Sequence, residues 1–90
     1  MALTLVLHRV TDYDAWRRVY DEFEAMQKAG GVTAESVYRA KGDPNNVLVL
    51  HHFGSMSAAE AFVASPELHE AMQKAGVEGT PRIEFFEESE

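Results

Sequence analysis

The chain has 90 residues, of which eight are basic and fifteen acidic, and its formal net charge is -7. At this length the chain can build only one hydrophobic core, so we expect a single domain over residues 1–90. The acidic balance argues against nucleic acid or lipid partners. No apolar run approaches the ~18 residues of a membrane span. The lack of cysteine excludes thiolate chemistry and fits a cytoplasmic protein.

Two short strings occur twice and divide the chain into similar halves. AMQKAG stands at residues 25–30 and again at 71–76, and LVLH stands at 5–8 and 48–51. Each half therefore predicts a strand, a helix and a glycine stop. The alternative is that the AMQKAG match arises by convergence, because Ala, Met, Gln and Lys all favour helices.

The first half predicts a strand over 3–10, a helix and a strand over about 33–41. Thr11 or Asp12 can cap the helix, which carries Trp16, Val19, Tyr20, Phe23 and Met26 on one apolar stripe. We expect Gly30 to end this helix in a left-handed conformation. Residues 42–46 then predict a turn that makes a hairpin.

The second half predicts a strand over 47–53, a helix and a strand over 82–87. Ser57 and Glu60 have the spacing of a capping box, so the helix should begin at Ser57. Ser65 and Pro66 interrupt it, and we expect a restart there with Ser65 as the cap. Residues 75–81 predict a loop that ends the helix and leads into the last strand. The alternative is that its glycines also allow backbone amides to approach a ligand.

These elements predict an α+β fold of the ferredoxin-like βαββαβ type. Right-handed crossovers and the hairpin give a four-stranded antiparallel sheet with strands one and three in the centre and both helices on one face. Strands one and three are apolar on both faces, so a second copy of the chain should cover the open face and form a dimeric α+β barrel. We expect this homodimer to bury Val6, Val10, Val49 and Phe53.

The sequence resembles the dimeric α+β barrel superfamily, in particular its antibiotic-biosynthesis-monooxygenase-like and cyclase-like members. The motifs that carry the resemblance cover nearly the whole chain and are HRVTDYDAW at 8–16, GG at 30–31, YRAKGDPN at 38–45, SPEL at 65–68, AGVEGTP at 75–81 and IEFFE at 83–87. The resemblance implies a fold shared by cofactor-independent monooxygenases, haem-degrading enzymes, isomerases and proteins without catalysis. It transfers no catalytic residue.

His8 and His51 are the candidate catalytic residues. The repeat places them at equivalent positions on one side of the sheet, lining one cavity, where a histidine can act as a general base near neutral pH. His52 faces the other side, so His51 and His52 cannot share a metal ion, and we expect no metal site. The alternative is that His8 and His51 only form structural hydrogen bonds within the dimer.

Trp16, Tyr20 and Tyr38 are the candidate substrate-binding residues, because their rings could line a pocket for a flat aromatic molecule. Residues spaced like Trp16 and Tyr20 are more often core. The position of Tyr38 depends on the register of the hairpin, which the sequence leaves open.

Two functions follow from these residues. The first is a small-molecule enzyme or binding protein of the monooxygenase-like group, which oxidises or cyclises an aromatic or polyketide-like compound without a cofactor and uses His8 or His51 as the base. The second is a non-catalytic dimeric module for ligand binding or association. A cavity reached by a histidine favours the first, and a filled interior favours the second.

Overall fold

The computed structural model describes residues 1–89 and confirms the predicted α+β architecture. The four-stranded sheet has the order β2-β3-β1-β4, every neighbouring pair is antiparallel, and β1 and β3 are central. The elements in chain order are β1 Ala2–Val10, α1 Tyr13–Glu22, α2 Glu24–Ala29, β2 Val32–Ala40, β3 Asp43–Phe53, α3 Met56–Ala64, α4 Pro66–Lys74 and β4 Val77–Glu87. The longest described helix has ten residues, and none between residues 1 and 89 could cross a bilayer.

Side-chain caps set the helix boundaries. The Asp12 carboxylate accepts a hydrogen bond from the backbone N–H of Ala15 and caps α1, and Ser65 caps α4 as predicted. The predicted cap at Ser57 is wrong because Ser55, in extended backbone, accepts from Ala58 instead. The first predicted helix is also interrupted, at Phe23, and continues as α2.

The two AMQKAG strings are identical, but the left-handed glycine that follows the helix lies one position later relative to the first string than to the second. Gly31, rather than Gly30, adopts the left-handed conformation after α2, with φ of 99°. Gly30 is right-handed and serves close packing, because a Cβ there would lie 2.5 Å from Cδ1 of Phe62. After α4 the left-handed residue is Gly76, with φ of 81°.

The helices cover only one face of the sheet. This face, here called the valine face, carries in β1 and β3 the residues Thr4, Val6, His8, Val10, Val47, Val49, His51 and Phe53. The opposite face, here called the leucine face, carries the half-buried Leu3, Leu5, Leu7, Leu48 and Leu50. Within residues 1–89, none of these five leucines belongs to the two clusters that the helices complete.

This arrangement corrects the predicted dimer interface. Val10 and Phe53 are 1% and 0% exposed, and Val6 and Val49 pack in the same core as Trp16. The error arose because both faces of the central strands are apolar, and the pattern alone does not say which one the helices cover. His8 and His51 consequently lie between sheet and helices rather than between two sheets.

The strands begin earlier in the sequence than predicted, and β4 contains an irregularity opposite His8. β3 begins at Asp43, so the hairpin turn is confined to Lys41 and Gly42. β4 begins at Val77, which places the predicted 75–81 loop mostly inside the strand. Leu7 pairs with Arg82 and Arg9 with Glu78, so a bulge of β4 lies opposite His8. Such bulges often occur next to functional sites.

Candidate functional site

A cavity lies between the valine face and the helices, and we call it the inner cavity. The space open to the centre of a water-sized molecule is about 60 Å³. Most of the lining is apolar. Most of it comes from the first helix pair, α1 and α2, and from the second, α3 and α4. The side chains with polar atoms are Thr4, His8, Trp16, Tyr20, Gln27 and His51.

The inner cavity coincides with a break in the hydrophobic core. One buried cluster includes Val10, Trp16, Val47 and Val49, and a second contains Ala2, Phe53, Ala59 and Phe62. Along β1 and β3 the pair Thr4 and His51 separates the two clusters. Polar side chains at this position keep the two clusters from merging.

His8 is buried, and residues 1–89 offer its ring no hydrogen-bond partner. Its side chain is contributed by β1, the residue is 6% exposed, and no protein atom in this part of the chain bonds Nδ1 or Nε2. Burial lowers the pKa of His8 to about 4, so the ring is neutral near pH 7 and offers one N–H donor and one nitrogen acceptor. Unpartnered buried polar atoms cost about 1–3 kcal/mol, which makes His8 a candidate for binding something else.

His51 already has a partner. Its Nε2 lies 2.9 Å from the hydroxyl oxygen of Tyr20, and in the tautomer with the proton on Nδ1 the hydroxyl donates this bond. Burial, with a smaller contribution from neighbouring His52, lowers the pKa of His51 to about 4. Burial, and then the charge of Glu35, raises the pKa of Tyr20. Both side chains are therefore neutral near pH 7.

The two histidines lie at opposite ends of the cavity. His8 pairs with Val47 and His51 pairs with Thr4, so the two are offset by four strand positions, or roughly 13 Å. Trp16 and Tyr20 lie between them, with ring centroids 4.8 Å apart and planes at 21°, and the Trp16 ring is 5.6 Å from that of His8. One small reacting group cannot contact both imidazoles.

Solved structures share this fold over almost the whole chain, although no family model and no curated protein sequence matches it. An antibiotic biosynthesis monooxygenase has 10% identity and a TM-score of 0.76, with 100% of each chain covered. SnoaB, a cofactor-independent oxygenase from Streptomyces nogalater, has 13% identity and a TM-score of 0.80, covering 99% of this chain and 93% of its own. A conserved protein from Methanosarcina mazei Go1 has 14% identity and a TM-score of 0.77, covering 99% and 94%.

The chain has the antibiotic biosynthesis monooxygenase fold. This finding confirms the resemblance that the sequence motifs carried, and it concerns architecture. Identities this low do not transfer a reaction or a substrate from the other proteins, so the chemistry has to be argued from the side chains of the site.

Within this monooxygenase-like fold, four of the five predicted site residues meet at one cavity. His8, His51, Trp16 and Tyr20 all line it. Tyr38 does not, because it pairs with Leu48, lies on the leucine face and is 55% exposed. The register shift between Arg39 and Ala40 sets this position, because an unbroken ladder from the turn would pair Tyr38 with Asn45 instead. The expectation that Tyr38 lines the pocket is corrected.

The sequence analysis missed Gln27, which is 6% exposed and lines the inner cavity. Its spacing from Tyr20 and Phe23 continues the apolar stripe of the first helix, so helical periodicity could have found it. His52 lies on the leucine face opposite Leu3. Within residues 1–89 no three His, Cys, Asp or Glu side chains group closely enough to share a metal ion.

The different bonding of the two histidines predicts opposite effects of the same substitution on stability. His8→Leu removes two unpartnered buried nitrogens and should raise the free energy of unfolding by about 1 kcal/mol at about pH 7.5. His51→Leu deprives Tyr20 of its partner and should lower it by about 1 kcal/mol. Urea unfolding at that pH measures both values.

The same variants should flatten the acid limb of the stability curve. Because each folded-state pKa is about 4 and the unfolded value is about 6.5, the unfolded chain binds the extra proton as pH falls from about 6.5 to 4. Each histidine should therefore lower the free energy of unfolding by about 2 kcal/mol at about pH 5 relative to neutral pH. Each leucine variant should lack this loss. The control substitution is His69→Leu, at an exposed position. Equal pH slopes in the wild type and both variants would contradict the pKa assignment.

Proposed function

We propose that the protein is a cofactor-independent oxygenase of the monooxygenase-like group, acting on a small aromatic hydroxy compound with His8 as the base. The observation that carries the proposal is that His8 is buried in an apolar cavity where no protein group of residues 1–89 bonds either ring nitrogen. A base must lie within hydrogen-bond reach of the proton it removes, and only an unoccupied nitrogen can accept that proton directly. The shared fold with a cofactor-independent oxygenase supports the same class of reaction.

His8 suits this role better than His51. The Nε2 of His51 is occupied by Tyr20 in the unliganded protein, whereas a ligand needs to break no bond to contact His8. The Trp16 ring beside His8 already stacks on Tyr20, so it can stack on an aromatic substrate that takes the place of the Tyr20 ring.

The low pKa of His8 limits which hydroxyl groups it can deprotonate. Between a simple phenol, with a pKa of about 10, and a histidine at about 4, proton transfer is uphill by roughly 8 kcal/mol. The resulting ion pair recovers about 4 kcal/mol at an effective dielectric constant of about 20. The best substrates are therefore phenols or enols whose own pKa lies nearer 7, for example those with a conjugated carbonyl group.

The proposed reaction consumes one O₂ and releases one water. His8 takes the hydroxyl proton, and the anion transfers electrons to O₂, so that a carbon–oxygen bond forms at a ring carbon that carries hydrogen. The hydroperoxide anion takes the proton back from His8 and then loses water, using the hydrogen on that carbon. A second carbonyl remains, and the product is a quinone.

A second candidate function is binding without catalysis. The small volume of the inner cavity, about 60 Å³, favours it, because a ring enters only if side chains move. In that case His8 would hold a ligand hydroxyl by a hydrogen bond and no oxygen would be consumed.

Replacement of His8 should separate these two functions. His8→Leu should lower oxygen consumption by about a hundredfold or more, the usual effect of losing a general base, with hydroxynaphthalenes and hydroxyanthrones as substrates. The wild-type rate should rise across that panel as the hydroxyl pKa falls. His69→Leu, on exposed α4, should keep the wild-type rate. Binding of the panel with no oxygen consumption by the wild type would favour the non-catalytic function instead.

We also propose that the protein is a homodimer that buries the leucine face. Five leucines on this face are only half-buried, and Tyr38 and Phe86 on the same face are 55% and 43% exposed. Contiguous apolar patches of this kind usually mark an interface. A second leucine face is self-complementary and would leave the inner cavity of each copy intact.

A charge at the centre of this face should prevent association. Leu5 pairs with Leu50 at the middle of the sheet. The substitution Leu5→Lys would place a buried, unpaired cation in the dimer interface. Sedimentation at micromolar concentration should give a dimer for the wild type and a monomer for the variant. Gln73→Lys adds the same charge to exposed α4 and should leave the dimer intact. A monomeric wild type would overturn this proposal.

A further inference from the structure

A second cavity shares a wall with the inner one. This outer cavity lies between the first helix pair and the β2 edge and measures about 340 Å³ by the same definition. Half of its ten lining residues are charged, namely Arg17, Asp21, Glu24, Lys28 and Glu35. Tyr20 and Gln27 line both cavities, so they form the partition between them.

Several contacts hold Tyr20 in the partition. On the side of the outer cavity, Arg17 lies 5.3 Å from its ring centroid and Glu35 interacts with its hydroxyl group, and two more contacts are made on the side of the inner cavity. Its hydroxyl oxygen lies 2.9 Å from Nε2 of His51, and its ring stacks on that of Trp16 at 4.8 Å. An aromatic ligand that carries a hydroxyl group can make the same two contacts, since it has the same ring and the same donor. Tyr20 therefore occupies the position that such a ligand would take.

The inner cavity is too small for a ring while Tyr20 stays in place. A cavity of about 150 Å³ binds benzene in an engineered protein, against about 60 Å³ here. Withdrawal of the Tyr20 side chain would join the two cavities and release Nε2 of His51 at once. No other side chain that lines both cavities is bonded to a histidine among the described residues.

We propose that Tyr20 is a displaceable internal substitute for the ligand, and that an aromatic hydroxy compound enters from the outer cavity, replaces Tyr20 on Trp16 and donates its hydroxyl to His51. The ligand class rests on the proposed function. His51 then binds one hydroxyl group and orients the ring from one end of the cavity. A substrate of the proposed oxygenase therefore carries a second hydroxyl group, which reaches His8 at the other end. Tyr20 is a specificity-determining residue, because only a ligand with both a ring and a hydroxyl group replaces its two contacts in the inner cavity, with Trp16 and His51.

Removal of the Tyr20 hydroxyl tests the inference. In Tyr20→Phe the ring still fills the partition but Nε2 of His51 has lost its partner, so a ligand hydroxyl no longer competes for it. The dissociation constant of α-naphthol, measured without oxygen by the fluorescence of Trp16, the single tryptophan, should fall about three- to tenfold relative to the wild type. The constant for its methyl ether, which has no proton to donate, should not change.

Tyr13→Phe is the matched control. Tyr13 contacts the Trp16 ring at 5.8 Å but does not line the inner cavity, so its hydroxyl should not affect α-naphthol binding. An unchanged or larger dissociation constant in Tyr20→Phe would overturn the inference, as would absence of α-naphthol binding to both proteins. If Tyr20→Phe binds more tightly while oxygen consumption does not depend on His8, this inference stands and the proposed oxygenase function fails.

Discussion

The packing of the helices on the valine face is the constraint on which the site depends. Trp16 from the first helix pair and Phe62 from the second each anchor a separate buried cluster against the central strands. Thr4 and His51 are paired between these clusters, so the core stays divided and a cavity remains at the division. Had the helices covered the leucine face, the interior would have been continuous leucine and both histidines would have faced outward.

The cavity is costly to the fold, and this cost argues for a function. Two imidazoles are held in an apolar interior where their charged forms are strongly disfavoured. One of them, His8, receives no hydrogen bond in return, although a leucine of similar volume would fill the place without that penalty. Proteins commonly retain such locally unfavourable groups at sites that bind or react with a ligand. The contrast between free His8 and bonded His51 then divides the site into an end that can take a proton and an end that can hold a ring.

Much of the fold followed from the sequence, because its determinants are local. The strand and helix order, the central position of β1 and β3, the restart at Ser65 and the shared side of His8 and His51 all depend on turn residues, caps and alternation. The choice of covered face did not follow, since both faces of the central strands are apolar. The face of Tyr38 depended on a register shift of the hairpin ladder next to its turn, between Arg39 and Ala40. The Tyr20 contact with His51 joins residues 31 positions apart, which no spacing pattern encodes.

The central claim is that His8 accepts the proton of a bound aromatic hydroxyl group. Nitrogen NMR of the imidazoles, recorded without oxygen at about pH 7 while an acidic dihydroxynaphthalene is added, observes this proton directly. The account predicts that His8 changes from a neutral ring to one protonated on both nitrogens as the ligand saturates, while exposed His69 does not respond. A saturated complex in which His8 remains neutral and its resonances do not move would contradict the account.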